Sequence, residues 1–467
     1  MQTSRKASLR QLLIGDRAFY RMVLLIVLPL ILQNAVSNFV NLLDNLMVGR
    51  IGTDPMTGVS IVNQLMFVFN LCVFGGQAGA GIFAAQFHGA GSAEGVRHCF
   101  RFKLYLSAAL TLGAVLLFSI AGEPLIRLYL NDADAAARAE QTLAYGRSYL
   151  SVMLWGLLPF ALSQTYSGTL REVGETRVPM VASIIAVFMN LILNYLLIYG
   201  HLCFPAMGVS GAALATCISR YAELAIVAVY THTHPDRYRF IIGAYASPKI
   251  PMKLVKQIAV KGAPLLVNEA LWSSGIAMIT QSYSVRGIDV VSALNITSTA
   301  SNLFNVVFLS MGSATGIVIG QALGARRIDD AKRYVWWLAA FSIMLAGCTA
   351  LVMVFAAPLI PRLYNTEEGI RALATSLLYV CCAAMPIQSF ANTAYFTIRS
   401  GGKTLITFFF DCGFTWVVSL PLAFLLTRFT ALPIVTCYLI VTLADLLKCA
   451  VAWVLIRRGI WINVITV

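Results

Sequence analysis

Residues 22–47 read MVLLIVLPLILQNAVSNFVNLLDNLM and contain a single ionisable side chain, that of Asp44. About 20 consecutive, predominantly apolar residues are enough to cross the hydrocarbon core of a bilayer as an α-helix. The stretch therefore predicts a membrane-spanning helix. Five arginine and lysine residues precede it without a small-residue cleavage site, so we expect residues 1–21 to form a retained cytoplasmic tail and not a signal peptide.

The composition extends this interpretation to the whole chain. Hydrophobic residues make up 59% of the 467 residues and charged residues 12%, against about 45–50% and about 25% in soluble domains. Together with a mean hydropathy of +0.78, these fractions exclude an ordinary soluble enzyme. Apolar stretches of spanning length predict an all-α polytopic membrane protein with twelve transmembrane helices, at residues 22–47, 56–85, 102–121, 148–169, 178–199, 207–231, 255–283, 290–320, 333–356, 370–397, 404–427 and 432–456.

The charge balance gives the chain an orientation. The 34 Lys and Arg residues outnumber the 20 Asp and Glu residues, for a formal net charge of +14. Most basic residues fall in alternate loops, as they do on the cytoplasmic side of plasma-membrane proteins. We therefore expect both termini in the cytoplasm, with a lipid bilayer and no nucleic acid as partner. The ten cysteines lie mostly inside apolar stretches without metal-ligand spacing, so neither disulfides nor a tightly bound metal is expected.

An internal repeat divides the spans into two sets of six. The aligned pairs are Pro29 with Pro264 and Gln86 with Gln321 at a shift of 235 residues, and Arg171 with Arg399 at a shift of 228. Because six is even, both halves share one orientation, and we expect two pseudo-symmetric six-helix lobes built as parallel repeats. The predicted division is an N-lobe at residues 22–240 and a C-lobe at 241–467. A cleft between such lobes is a natural substrate site, and rocking of the lobes provides alternating access.

Polar side chains recur on one face of several predicted spans. In the first span, asparagines stand at positions 34, 38, 41 and 45, the i, i+4, i+7, i+11 spacing of one helix face. Polar residues inside hydrocarbon must face protein or water, so such stripes favour a cavity. For any single residue, interhelical packing through hydrogen bonds stays an open alternative. The candidate cavity-lining residues are Asn34, Asn38, Asn41, Asn63, Asn70, Gln164, Asn295, Asn302, Asn305, Asn392 and Tyr395.

Carboxylates inside the spans are candidates for ion coupling. Glu269 lies near the middle of the seventh span, where a carboxylate costs about 2.5–3.5 kcal/mol, so we expect it to be protonated, to bind a cation or to pair with a base. Asp44 lies toward the outer end of the first span, where an interfacial role is also open, and Asp411 begins the eleventh span. Asp445 has Lys448 three residues later on the same helix face, which favours a structural ion pair.

Several motifs occur in a characteristic order along the whole chain. They are Pro29, DNLMVG at residues 44–49, QFHG at 86–89, LREVGET at 170–176, NLILNY at 190–195 and GVSGAALAT at 208–216. In this order, and with their counterparts in the second half, they resemble the multidrug and toxic compound extrusion (MATE) transporters. That family belongs to the MOP flippase superfamily, which also includes flippases for lipid-linked oligosaccharides.

The resemblance implies a function and a set of residues. It implies export of cationic, amphipathic organic molecules across the cytoplasmic membrane, driven by inward movement of Na⁺ or H⁺ and without any other cofactor. The residues that match the family's N-lobe cation site are Asp44, Asn190, Asn194 and Thr216, and the C-lobe candidates for coupling or substrate binding are Glu269, Gln388 and Asp411.

This chain departs from the family pattern at three of its positions. Asn194 stands where related proteins often carry a second aspartate, and Gln388 stands where they carry a carboxylate in the tenth span. Glu269 lies one turn before the usual seventh-span glutamate. Asp44 and Glu269 are therefore the best candidates for coupling, and Na⁺ and H⁺ both stay open as coupling ions.

Other functions are weighed against multidrug antiport. A flippase for a lipid-linked precursor would need a strongly cationic cavity to hold a pyrophosphate, where this chain offers asparagine stripes. An exporter of an endogenous metabolite is a further alternative. An intramembrane enzyme would need paired aspartates or a nucleophile and base, and no catalytic motif is present. We expect a monomeric transporter of small organic molecules, not an enzyme.

Overall fold

The computed structural model describes residues 14–130, 136–202, 204–364 and 366–466. The side chains of residues 41, 42, 45, 46, 136 and 137 are also outside the description. Most of the predicted N-terminal tail and the predicted cavity position Asn41 therefore lie outside the described part of the chain.

Helices dominate the described residues, and twelve of them are long. They are α1 Arg17–Gly49, α2 Thr53–Gly89, α3 Ala93–Arg127, α4 Ala136–Glu172, α5 Arg177–Tyr199, α6 Gly208–Thr233, α7 Met252–Ser284, α8 Ile288–Gly324, α9 Ile328–Ala356, α10 Glu368–Ser400, α11 Thr404–Phe429 and α12 Ile434–Arg457. Two short 3₁₀ turns, Arg239–Ile241 and Ile360–Leu363, lie in the connections.

The predicted spans agree with these helices. Each of the twelve predicted stretches coincides with one long helix to within about two residues, so the all-α, twelve-helix prediction is confirmed. Within the described residues, ten of the helices are long and apolar enough to cross a membrane by length and composition. The other two, α4 and α7, have the length but carry more polar and charged residues. Helices suit this solvent because they satisfy all their backbone hydrogen bonds internally.

The chain divides into two compact units. The N-terminal unit comprises Leu32–Ala84 and Ser92–Ala259, and the C-terminal unit comprises Met1–Ile31, Ala85–Gly91 and Val260–Val467. The N-terminal unit is built around a core of α2, α3, α4 and α6 side chains that includes Val62, Ile126, Leu157 and Ala213. The largest core of the C-terminal unit includes Val23, Met311, Leu338 and Ile398.

Two glycines allow the ends of α2 and α8 to cross closely inside the C-terminal unit. A Cβ atom at Gly89 would collide with the carbonyl oxygen of Gln321, and a Cβ atom at Gly324 would collide with the carbonyl oxygen of Gln86. The shift of 235 residues aligns Gly89 with Gly324, so the repeat supplies the small residue on both sides of the crossing. Small residues at such contacts let helix backbones approach each other.

The connection between α6 and α7 is bound to α3 within the N-terminal unit. The buried Arg101 guanidinium donates to the carbonyl oxygens of Gly243 at 2.6 Å, Ala244 at 2.7 Å and Lys249 at 3.0 Å. Burial raises the pKa of the Tyr238 hydroxyl, which stays protonated at neutral pH and donates to the Glu175 carboxylate at 3.2 Å. The connection is therefore an ordered part of the N-terminal unit up to at least Lys249.

A buried ion pair ties α3 to the end of α4. Lys103 Nζ lies 2.5 Å from one oxygen of the Glu172 carboxylate and 2.6 Å from the other. The lysine side chain is only 1% exposed and the glutamate side chain 17%. Gly81 leaves room for the carboxylate, since a Cβ atom there would lie 2.5 Å from a Glu172 oxygen. A charge buried this deeply is tolerated because its partner neutralises it.

We predict that Lys103→Met destabilises the protein by about 3–5 kcal/mol, because it leaves the Glu172 carboxylate buried without its cation. The double variant Lys103→Met with Glu172→Gln should recover most of that loss. Thermal unfolding of the detergent-purified protein measures both effects. The control is Lys332→Met, whose side chain is 55% exposed and lies 3.9 Å from Asp329. A Lys103→Met variant as stable as this control would contradict the prediction.

Candidate functional site

The predicted N-lobe site residues meet around the carboxylate of Asp44. Asn194 Nδ2 donates to Asp44 Oδ1 at 2.7 Å. With its amide nitrogen turned toward the carboxylate, Asn190 donates to Asp44 Oδ2 at 2.9 Å, and its oxygen accepts a hydrogen bond from Thr216 Oγ1 at 3.3 Å. The structure thus brings together four residues from α1, α5 and α6 that are far apart in sequence.

Local geometry explains why these side chains converge. Asn190 and Asn194 are four residues apart on α5, so they lie on one helix face and one above the other. Gly211 allows α6 to pack tightly against α5, because a Cβ atom there would lie 2.6 Å from the carbonyl oxygen of Leu197. The close packing places Thr216, more than one turn further along α6, beside Asn190.

The Asp44 cluster has the ligand chemistry of a small cation site. Its candidate ligands are carboxylate, amide and hydroxyl oxygens, which suit hard cations and can also hold a proton. The Asn194 side chain is 2% exposed, and its Oδ1 has no hydrogen-bond partner among the described residues. The described chain shows no ion pair to Asp44, so its negative charge is met by neutral amides. Nor do the described residues contain a His, Cys, Asp and Glu cluster able to hold a metal ion tightly.

The predicted C-lobe candidates gather around a different carboxylate, that of Asp411. Asn268 Nδ2 donates to Asp411 Oδ2 at 3.2 Å, and Lys448 Nζ lies 2.7 Å from Asp411 Oδ1. Glu269 interacts electrostatically with both Arg399 and Asp411. Glu269 and Asp411 therefore belong to one charged cluster of the C-terminal unit.

The expected ion pair between Asp445 and Lys448 is wrong. Lys448 forms its ion pair with Asp411 on α11, while Asp445 interacts with the side chain of Gln388 and more distantly with Lys448. The two residues do share a helix face, but the lysine stem is long enough to reach across to α11. Gln388, the third C-lobe candidate, is thus linked to the same cluster through Asp445.

The other polar candidates are dispersed. Asn63 Oδ1 accepts a hydrogen bond from the Tyr149 hydroxyl at 3.3 Å, and Asn392 Nδ2 donates to the carbonyl oxygen of Phe308 at 2.9 Å. Both contacts join neighbouring helices, so packing explains these two residues. By exposure, the candidates divide into exposed Asn34, Asn63, Asn295 and Asn302, half-buried Asn38, Asn70, Gln164, Asn305 and Asn392, and buried Tyr395.

Several polar contacts were not predicted from the sequence. Asn268 was overlooked, although it directly precedes Glu269. Gln77 donates to Ser107 Oγ at 2.9 Å and to Thr165 Oγ1 at 3.0 Å in the middle of the N-terminal unit. Arg220 lies with its guanidinium 4.8 Å from the centre of the Phe160 ring. A charged or amide residue inside an apolar span is the sequence signal that could have found them.

Comparison with known proteins agrees with this architecture. The MatE family model matches residues 29–196 and again residues 264–425, so its two matches begin at the two prolines that the repeat aligns. The "Probable multidrug resistance protein NorM" of Halalkalibacterium halodurans is 23% identical over 438 residues, with 92% of each chain covered. Its namesake in Thermotoga maritima is 25% identical over 410 residues, with 86% of this chain and 84% of the relative covered.

Solved structures share the fold at low sequence identity. An outward-facing multidrug resistance MATE family transporter of the MOP superfamily superposes with a TM-score of 0.84 at 19% identity, covering 98% of this chain and 99% of the other. A mutant of the Vibrio cholerae MATE transporter VcmN gives a TM-score of 0.83 at 17% identity, with 95% and 97% covered. Because the MatE family model matches most of the chain, in two successive halves that correspond to its internal repeat, the chain belongs to the MATE family of multi-pass membrane transporters.

Proposed function

We propose that this chain is a secondary active antiporter that exports cationic, amphipathic organic molecules across the cytoplasmic membrane, driven by the entry of Na⁺ or H⁺. The names of its relatives, which are multidrug resistance proteins, support drugs as one class of substrate. It works by alternating access, as a monomer, and no enzymatic step is part of the proposal.

The observation that carries this proposal is the environment of Asp44. Its carboxylate is held by the amides of Asn190 and Asn194, which orient it without neutralising its charge. An amide-held carboxylate in a low-dielectric site attracts a cation strongly. Asp44 can therefore exchange a coupling ion, whereas Asp411 is already paired with Lys448.

Antiport follows if coupling ion and substrate compete. A cation bound at Asp44 cancels the negative charge that would otherwise attract a cationic substrate, and a bound substrate disfavours the ion in the same way. Such competition is reciprocal by thermodynamic linkage. When each conformation opens to a different side of the membrane, the ion gradient then drives the substrate outward.

We predict that Asp44→Asn lowers gradient-driven transport of ethidium by at least about tenfold, the factor that corresponds to about 1.4 kcal/mol of ion-binding free energy. Asparagine preserves the shape of the side chain and its hydrogen bonds to α5 while removing the charge. The measurement is ethidium transport in proteoliposomes, with a Na⁺ gradient at constant pH in one series and a pH gradient without Na⁺ in the other.

Asp54→Asn is the matched control, because Asp54 pairs with Arg138 at 2.8 Å on the exposed side of the N-terminal unit. It should transport at the wild-type rate. Full activity of Asp44→Asn would disprove the assignment of this site while leaving antiport intact. Wild-type protein that responds to neither gradient would instead overturn the antiporter proposal.

The proposed orientation has its own test. We predict that alkaline phosphatase fused after residue 130, between α3 and α4, is active, because this loop faces outward. A fusion after residue 91, between α2 and α3, should be inactive, and green fluorescent protein at the same two positions should give the opposite pattern. The reverse result would place the termini outside the cytoplasm.

A further inference from the structure

The Lys448 ammonium lies in a small aromatic and acidic enclosure of the C-terminal unit. Its Nζ atom lies 2.7 Å from Asp411 Oδ1, 5.2 Å from the centre of the Phe410 ring and 6.0 Å from that of Phe414. The lysine side chain is 14% exposed and that of Asp411 is 18% exposed. A carboxylate next to aromatic faces is how proteins hold organic ammonium ions, because the face of the ring is negative.

The backbone of α11 builds this enclosure. Residues Phe409–Gly413 and Thr415–Ser419 form π-helical turns, which are rare and occur frequently at functional sites. They place Phe410, Asp411 and Phe414 side by side along the helix. The indole nitrogen of Trp416 donates to the carbonyl oxygen of Leu271 at 2.9 Å and holds this part of α11 against α7.

Asn268 supplies an independent sign of a ligand. Its side chain is 2% exposed, and Nδ2 is used by Asp411 Oδ2 at 3.2 Å. Its Oδ1 is buried and has no hydrogen-bond partner among the described residues. An acceptor buried without a partner is costly. It lies where a second N–H group, from an ammonium beside Asp411, could donate.

The charge of the cluster requires a cation here. The cluster contains three carboxylates, those of Glu269, Asp411 and Asp445, against the cations of Arg399 and Lys448. Without Lys448, three carboxylates would share one arginine in a largely buried region. Such an imbalance strongly favours binding of another cation.

We propose that Asp411, Phe410, Phe414 and Asn268 form a binding cage for a primary organic ammonium, and that Lys448 is its built-in occupant. The cage takes an alkylammonium once the lysine side chain is absent. Lys448 therefore determines that the C-terminal unit does not hold a free organic cation at this place. The proposal does not depend on ion-coupled export and is tested by binding alone.

The test uses n-propylammonium as the probe. Lys448→Ala removes three carbons and one nitrogen beyond Cβ, the same heavy atoms that n-propylammonium contains. We expect n-propylammonium chloride, compared with NaCl at equal ionic strength, to raise the Tm of the purified Lys448→Ala protein by roughly 2 °C, with a saturating concentration dependence. Wild-type protein and Lys448→Arg, whose cages are occupied, should show no such rise.

Two further controls define the chemistry. The rise should disappear in Lys448→Ala with Asp411→Asn, and n-propanol, which lacks the charge, should not produce it. Equal stabilisation of the wild type, a rise that survives the loss of Asp411, or no rise in Lys448→Ala would each overturn the proposal. Stabilisation of Lys448→Ala by Na⁺ as large as that by n-propylammonium would show a hard-ion site and overturn the assignment to organic ammonium.

Misfolding of the variant is covered by a second preparation. If Lys448→Ala aggregates when purified in NaCl, the same variant is purified throughout in n-propylammonium chloride. Monodisperse protein that aggregates when the amine is dialysed away supports the cage. Aggregation in both salts overturns it.

Discussion

The structure depends on one constraint, that a polar or charged group inside a bilayer must find its partner within the protein. The chain meets it in distinct ways. Lys103 and Glu172 neutralise each other directly. Arg101 keeps its charge but gives its N–H groups to backbone carbonyls of the connection before α7. Asp44 keeps its charge and is held by amides. Only the last arrangement leaves a charge that a mobile ion can answer.

This constraint also explains how much the sequence could predict. The twelve spans were predictable because hydrocarbon demands long apolar helices, and hydropathy measures that demand directly. Asn190 and Asn194 could be placed on one face because their spacing matches the helical turn. Within one helix, periodicity is sufficient.

Contacts between helices were less predictable. The partner expected for Lys448 was Asp445, because a sequence pattern reveals neighbours on the same helix and no others. The observed partner, Asp411, is 37 residues away in sequence and is reached by the flexible lysine stem. The role of Asn268 was hidden for the same reason, since which of two adjacent polar residues faces α11 depends on how α7 is rotated against it. Packing sets that rotation, and no single-sequence pattern records it.

The internal repeat shows why the two units treat their carboxylates differently. A shift of 228 residues places Lys448 on Arg220 and Asp411 on Ser183. The basic position is thus kept in both halves, while its acidic partner is present in one. In the N-terminal unit Arg220 consequently donates to the carbonyl oxygen of Gly156 at 3.3 Å and lies over an aromatic ring.

That difference leaves the carboxylate of the N-terminal unit free of a fixed cation. Asp44 comes from α1 instead of α5, and Arg220 is occupied with a backbone carbonyl and a ring. In the C-terminal unit the equivalent cation reaches a carboxylate and closes the site. Two halves built from one repeated scaffold can therefore hold an exchangeable charge in one unit and a permanently neutralised charge in the other, through the position of a single aspartate.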